Sequence, residues 1–168
     1  MRIKSMFAGA VLALGVAAFA PSTAQAQGLK LEELRLNMAS VNLTGGTSLD
    51  AGFPGSASAG FFFNEKMALE PSVGVFARKG YNQFGVGAAL AYYFNGDHGK
   101  AGLFVAPTLE FAKAKGTDAA VNYGGDVGYK IAMRDNISAR VAGTVRDGDS
   151  YGDLAFGATL GFSFYINK

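Results

Sequence analysis

The sequence predicts an all-β fold, an eight-stranded antiparallel up-and-down β-barrel that spans a membrane. Three observations predict it: an export signal at the N-terminus, apolar residues that alternate at period two through the rest of the chain, and short turns between the alternating segments. After the signal, no apolar stretch approaches the roughly 20 residues that a membrane-spanning helix needs. Contact with a membrane would therefore be made by strands.

The N-terminal segment has the three parts of a secretory signal peptide. A basic start, Met1 to Lys4, precedes an apolar run over residues 6–19, and Ala24-x-Ala26 supplies the small residues of a cleavage site. We expect residues 1–26 to be cleaved, which leaves residues 27–168 as one barrel domain. A retained membrane anchor is the alternative, but the apolar run is short for a spanning helix of about 20 residues.

Charge and cysteine content narrow the function classes. The net charge of +2 comes from Arg2 and Lys4 in the signal, and the remaining chain has equal numbers of basic and acidic residues. This balance gives no support to a nucleic-acid partner. The chain has no cysteine, so an exported protein of this size cannot be held by disulfides and must depend on packing and backbone pairing.

The last segment shows the strand pattern over seven consecutive apolar positions. Side chains alternate between the two faces of a pleated strand, so a period of two places all seven on one face. A helix would scatter them around its surface. They are Leu154, Phe156, Ala158, Leu160, Phe162, Phe164 and Ile166.

The same alternation predicts six further strands, over residues 53–63, 67–78, 83–94, 101–113, 120–133 and 137–146. An eighth strand is needed before residue 45. There Leu34, Leu36 and Met38 alternate, and the parity then slips to Val41 and Leu43, which predicts a β-bulge near Ala39-Ser40. Residues 29–34 fit either the start of this strand or a short helical turn.

The segments between the strands are rich in glycine, asparagine and aspartate, as in Gly45-Gly46 and Asn95-Gly96-Asp97. Seven short turns join eight strands, and strands joined in this way are antiparallel. Pro71 and Pro107 lack the N–H that a closed ladder uses, so we expect a local bulge at each.

Two kinds of barrel fit the alternation, and they differ in which face points inward. A soluble carrier encloses its apolar face, whereas a membrane barrel turns that face to lipid and fills its interior with small and polar side chains. In the last seven predicted strands the apolar face carries no charge. The other face is rich in glycine, alanine, serine and threonine, as a narrow interior requires. It also holds Glu70, Arg78, Glu110, Asp126, Lys130, Arg140, Arg146 and Asp153.

The membrane interpretation therefore predicts a charge network inside the barrel, because buried charges must be paired. We expect Glu70, Glu110 and Asp126 to pair with Lys130 and Arg140. Nearer the rims we expect Arg78, Arg146 and Asp153. Aromatic residues concentrate toward both ends of the strands, which is typical of the two interfaces of a membrane.

At the C-terminus, Thr159-x-Gly161-x-x-Phe164-x-Ile166 is similar to the assembly signal of outer-membrane barrels. With the signal peptide and with Phe61 and Phe63 before a turn, residues 31–168 resemble the small outer-membrane β-barrel family typified by the OmpA membrane domain and OmpX. The resemblance implies that the barrel assembly machinery reads the terminal strand. Many members end on an aromatic residue, whereas this chain continues to Asn167-Lys168.

The sequence offers no catalytic, cofactor or metal site. The one histidine, His98, lies in a predicted turn beside Asp97 and lacks the third group of a hydrolytic triad. Two carboxylates in Asp147-Gly148-Asp149 are a weak calcium signal. A plain turn is the simpler interpretation of each.

We therefore expect a monomeric outer-membrane protein of a Gram-negative bacterium, with a structural or membrane-integrity role and both termini in the periplasm. Eight strands leave no aqueous pore for solutes, so a general porin is disfavoured. The partners would be outer-membrane lipid and, during biogenesis, the barrel assembly machinery. The alternatives are an exported soluble barrel that binds a small apolar ligand, a lipid-modifying barrel enzyme dependent on His98, and a narrow ion channel.

Overall fold

In a computed structural model, residues 29–44, 48–52, 55–78, 81–95, 99–114, 116–150 and 154–166 are described. All nine regular elements among them are β-strands. No helix in this part of the chain is long and apolar enough to cross a membrane. The strands are β1 Lys30–Thr44, β2 Ser48–Gly52, β3 Gly55–Phe62, β4 Met67–Arg78, β5 Tyr81–Tyr93, β6 Gly102–Ala114, β7 Ala120–Arg134, β8 Ile137–Gly148 and β9 Ala155–Tyr165.

The strands close into a barrel through β1. On one edge β1 pairs with β2 and β3, and on its other edge it pairs with β9. From β3 to β9 each strand pairs with the next along the chain, and every pairing is antiparallel. Because β2 and β3 both lie along the same edge of β1, the nine segments fill eight positions. The predicted eight-stranded up-and-down barrel is confirmed.

The first strand settles the question that the sequence left open at residues 29–34. β1 is extended from Lys30 onward, so the short helical turn considered for this segment is not formed. The register of β1 against β9 shifts between Asn37 and Ala39, one residue before the predicted bulge position. Leu34, Leu36 and Met38 share the outer face by simple alternation, and each is exposed. After the shift the odd-numbered Val41 and Leu43 pair with Ala158 and Phe156, which is the change of parity that the sequence predicted.

The bulges expected at Pro71 and Pro107 are not formed. Pro71 pairs in register with Ala88, and Pro107 pairs in register with Gly125. On the other edge of each strand the ladder is interrupted for two positions and resumes in the same register. Each proline therefore lies where one edge of its strand lacks pairing, which accommodates a residue without an N–H and needs no inserted residue.

The two faces of the sheet differ sharply in chemistry. Large apolar side chains project outward on every long strand, including Leu154, Phe156 and Leu160 of the last predicted strand. Inward positions carry small residues together with nearly all of the buried charges. We name the two ends of the barrel by their connections: the terminal end holds residues 63–66 and 99–101, and the far end holds residues 116–119 and 149–150.

Candidate functional site

Among the side chains that the structure describes, five charged ones are almost completely removed from solvent in the interior of the barrel. They lie at inward positions of four strands, because their parity is opposite to that of the exposed apolar residues. Charges in such a place are expected to be paired and hydrogen-bonded. They are Glu33, Arg35, Glu70, Lys130 and Arg140.

Glu70 is the hub of the larger ionic cluster. Its Oε2 accepts hydrogen bonds from Nη1 of Arg35 at 2.6 Å and from Nη1 of Arg140 at 3.1 Å. Its other oxygen, Oε1, accepts a hydrogen bond from the Tyr93 hydroxyl. Both carboxylate oxygens are thus used, and one buried carboxylate serves two buried guanidinium groups.

The cluster continues from Arg140 toward the far end. Nη2 of Arg140 lies 3.7 Å from Oδ2 of Asp126, and Oδ1 of Asp126 accepts a hydrogen bond from Nη2 of Arg146 at 2.6 Å. Nη1 of Arg146 also donates to the carbonyl oxygens of Gly125 and Val145, both at 3.0 Å. The result is a continuous chain of ion pairs from Arg35 to Arg146.

A second buried pair lies nearer the terminal end. Nζ of Lys130 donates to both carboxylate oxygens of Glu33, at 2.7 Å each. The hydroxyl of Tyr165 is 3.4 Å from the same ammonium group. Lys130 and Glu33 are at most 1% exposed, so this pair is held away from water.

Aromatic rings fill the interior beside these charges. Tyr93 stacks on Phe62 and is tilted against Phe104, with ring centroids 5.8 Å apart in both contacts. The Lys130 ammonium lies 4.6 Å from the centroid of the Tyr93 ring, and the Arg140 guanidinium lies 3.9 Å from that of Phe104. These cation–π contacts add to the stabilisation of the buried cations.

Residues 99–101 fold over the terminal end of this interior. The Tyr165 hydroxyl donates to the carbonyl oxygen of Gly99 at 2.6 Å, and the Ser138 hydroxyl donates to that of Lys100. Gly99 has a φ of 68° and lies against the Tyr93 ring, where a Cβ would be only 2.7 Å from a ring carbon. Glycine is needed there both for the backbone conformation and for the close approach.

Comparison with solved structures gives the fold a precedent. The chain is similar to the crystal structure of Neisserial surface protein A (NspA), with a TM-score of 0.64 and 13% identity over 83% of this chain and all of that one. The chain has the fold of the small outer-membrane barrels. The N-terminal β-barrel domain of Pseudomonas aeruginosa OprF is also similar, with a TM-score of 0.51 and 16% identity over 80% of this chain and 97% of that one. No protein-family model and no curated sequence matches the chain.

Within this small outer-membrane barrel fold, the structure brings together part of the predicted charge network. Glu70, Asp126 and Arg140 lie in one cluster, which Arg146 joins through Asp126. Lys130 is buried but pairs with Glu33, and Glu110 faces the interior without an ion pair to any described residue. For Arg78 the backbone alone is described, in β4, and Asp153 lies outside the described residues.

Sequence reasoning missed Glu33 and Arg35. The signal was present, because both residues have the parity opposite to Leu34 and Leu36. The alternation was not applied to these two residues, because residues 29–34 fitted either a strand or a short helical turn. The register of β1 against β3 also shifts between Leu31 and Glu33. The alternation before the shift therefore does not predict that Glu33 faces inward.

Three residues of the predicted assembly signal lie on β9, the strand that closes the barrel against β1, and Ile166 directly follows it. Phe164 is exposed on the outer face, and Gly161 is buried where a Cβ would lie 2.7 Å from the Leu36 carbonyl oxygen. Thr159 pairs with Ser40, and the N–H of Ile166 donates to the carbonyl oxygen of Glu32. Their reading by an assembly machinery stays a prediction.

The turn predicted at Asp147-Gly148-Asp149 begins only at Asp149, because Asp147 and Gly148 are the last residues of β8. Both carboxylates are used within the chain. Asp147 accepts hydrogen bonds from the Tyr123 hydroxyl at 3.0 Å and from the N–H of Gly148 at 2.7 Å. Asp149 accepts one from the N–H of Val121 at 3.2 Å. Within the described part of the chain, no three metal-binding side chains come together. His98, considered for catalysis, lies outside it.

Replacement of Arg140 by Gln should lower the free energy of unfolding by about 1–3 kcal/mol. The loss is limited because two ion pairs remain in the variant, Glu70 with Arg35 and Asp126 with Arg146. Urea titration of the folded barrel in detergent would measure it, with Arg134→Gln as the control, because Arg134 is exposed at the end of β7. An Arg140→Gln variant as stable as the control would show that the cluster does not need Arg140.

Proposed function

We propose that the protein is an outer-membrane β-barrel protein of a Gram-negative bacterium, with a structural role in membrane integrity. Its lumen would be closed by its own side chains, and it would carry out no catalysis. The protein would be a monomer surrounded by outer-membrane lipid. The barrel assembly machinery would insert it into the membrane. Both termini would then lie in the periplasm, since the chain would be delivered from that side.

The observation that carries this proposal is the opposition of the two faces of the barrel wall. Val127, Ile131 and Val141 are among the many apolar side chains that are about half exposed on the outside, while Lys130 and Arg140 are buried inside. In water, so large an apolar surface on a single chain would be costly and prone to association. In a bilayer the same surface faces hydrocarbon, and the enclosed charges avoid it.

Aromatic residues support a bilayer position. Near the terminal end, Phe63, Tyr92 and Phe94 are exposed on the outside, and toward the far end Phe84 and Tyr123 are exposed. Aromatic side chains favour the two interfaces of a membrane, where a ring meets both hydrocarbon and polar head groups. The spacing of these two groups along the strands is consistent with interfaces at both ends.

Closure of the lumen is supported by what fills the terminal half of the interior. Tyr93, Phe104 and Lys130 are at most 1% exposed. An eight-stranded barrel is narrow, so side chains of this size occupy its cross-section. The same filling argues against the carrier alternative, because an apolar ligand would have to displace ion pairs rather than enter an apolar cavity.

The test is localisation together with conductance. We expect the protein in the outer-membrane fraction, with a folded form that migrates differently from the boiled form on a gel, and no steady conductance in planar bilayers. Recovery in the aqueous periplasm would favour the carrier and refute the proposal. Discrete single-channel currents would instead favour a narrow ion channel, and lipid-modifying activity that disappears in His98→Ala would favour an enzyme.

A further inference from the structure

Residues 99–101 cross the terminal mouth of the barrel. They belong to the connection between β5 and β6, yet their carbonyl oxygens accept hydrogen bonds from Ser138 on β8 and from Tyr165 on β9. Neither β8 nor β9 pairs with β5 or β6. The connection therefore reaches across the opening instead of following its rim, and we call residues 99–101 the strap.

The described contacts that hold the strap to the wall are few. They are the two hydrogen bonds from hydroxyl groups and the close approach of Gly99 to the Tyr93 ring. Such bonds are individually weak beside the ladder of eleven residue pairs that joins β6 to β7. A segment with so few attachments can open locally while the rest of the fold stays intact.

The strap joins the wall through a glycine. Gly102 has a φ of 111°, and a Cβ added there would lie 2.5 Å from Cγ of Asn95. Only glycine allows this sharp turn and close approach. Directly beyond it the wall is already paired, because the N–H of Phe94 donates to the carbonyl oxygen of Leu103 at 3.0 Å. The strap thus has a fixed base and a permissive joint.

The Glu33–Lys130 ion pair lies in the layer of side chains next to the strap. Lys130 pairs in register with Gly102, and Glu33 pairs in register with Tyr165. The Tyr165 hydroxyl donates to the carbonyl oxygen of Gly99 at 2.6 Å and lies 3.4 Å from Nζ of Lys130. One hydroxyl therefore links the strap to the buried pair.

We propose that the strap opens and closes over the terminal mouth while the barrel wall stays folded, and that it controls the access of water and small solutes to the Glu33–Lys130 pair. In the closed state shown by the structure, Lys130 is 0% exposed. Tyr93 and Phe104 fill the cross-section in either state, so opening exposes the pair without forming a pore. The motion needs only the barrel fold, whether lipid or water surrounds the outer face.

Acetylation of Lys130 reports the open state. The folded barrel in a non-ionic detergent is treated with the sulfo-N-hydroxysuccinimide ester of acetic acid, and peptide mass spectrometry follows each lysine. The exposed Lys66 gives the rate of an accessible amine in the same sample. We expect Lys130 to react much more slowly than Lys66, at a rate that hardly changes with urea below the unfolding transition. Opening of a short strap exposes little surface, and urea acts in proportion to the surface exposed.

Two substitutions loosen the strap without altering either member of the ion pair. Ser138→Ala removes one of the two hydrogen bonds and should raise the Lys130 rate about fivefold. Gly99→Ala would place a Cβ 2.7 Å from a carbon of the Tyr93 ring, in a backbone conformation that favours glycine. It should displace the strap and raise the rate by about tenfold or more.

Each substitution has a matched control. Ser72→Ala removes an inward hydroxyl in the middle of β4, away from the strap. Gly116→Ala imposes the same kind of backbone strain, at a φ of 84°, but a Cβ there meets nothing within 4 Å. Neither control should change the Lys130 rate. Each measurement uses the fraction that the gel shift shows to be folded.

Three outcomes would overturn the proposal. They are equal Lys130 rates in the unmodified protein and in both strap variants, an equal acceleration in the controls, and a Lys130 rate that rises with urea in step with global unfolding. The last would mean that the strap opens only when the wall does. Fractionation and conductance test the proposed function separately, so either proposal can fail without the other.

Discussion

Replacement of Glu70 by Gln is expected to lower the free energy of unfolding by about 3–5 kcal/mol. The buried carboxylate binds Arg35, Arg140 and the Tyr93 hydroxyl at once. An amide has one acceptor oxygen and presents N–H groups at the other position, so at least one buried partner loses its acceptor. Two guanidinium groups then share a site without a full counter-charge, and this explains why the expected loss exceeds that for Arg140→Gln.

Urea titration of the folded form, followed by the gel shift, would measure this loss. Glu65→Gln is a matched control, because it makes the same chemical change at an exposed residue of the terminal end. We expect the control to stay within about 0.5 kcal/mol of the unmodified protein. Equal midpoints for Glu70→Gln and Glu65→Gln would mean that the ionic hub does not stabilise the barrel.

The parity of each strand was predictable from the sequence because it depends on local chemistry alone. Every second residue faces the same side, so the alternating run from Leu154 to Ile166 predicts a strand with its apolar residues on one face. That this face is the outer one was predicted from the charged and small residues on the opposite face. β4 was predicted over the same residues, 67–78, that the structure shows. For the other predicted strands, the predicted and observed ends differ by a few residues. Backbone pairing can extend into a turn or stop short of it, and the alternation of side chains does not show where it stops.

The partners of the interior charges were less accessible to sequence reasoning. Glu33 and Lys130 are 97 residues apart and lie on strands that do not pair with each other. Their meeting depends on the tilt of the strands and on the stagger that closes the barrel. Alternation within one strand carries no information about either, so the sequence predicts which charges face inward better than which of them meet.

The interior aromatic residues show a second limit. Tyr93 and Phe104 share the parity of the small and charged residues, so their inward position followed from the alternation. The alternation alone did not predict that they pack together with Phe62 and lie against Lys130 and Arg140. A narrow barrel accepts such rings because glycine and alanine at facing positions leave the volume for them, as at Gly128, where a Cβ would lie 2.6 Å from the Phe104 ring.

Substitution of Val127 by Arg is expected to destabilise the barrel in lipid by about 2–4 kcal/mol. Val127 is the middle residue of β7 and projects outward, so an arginine there would face the centre of the hydrocarbon layer. Met133→Arg is the matched control: it is on the same strand and face, with 60% exposure against 58%, but near the terminal end. Close to the interface the same charge costs about 0–1 kcal/mol.

The comparison between these two variants separates a bilayer from water as the surroundings of the outer face. Urea titration of folding into phosphatidylcholine vesicles would give both free energies under the same conditions. A soluble barrel would tolerate arginine at either position, because both side chains are about equally exposed and a charge there would be hydrated. Equal small losses at Val127 and Met133 would therefore contradict insertion in a membrane, whereas a loss that depends on depth along β7 requires a hydrocarbon layer around the barrel.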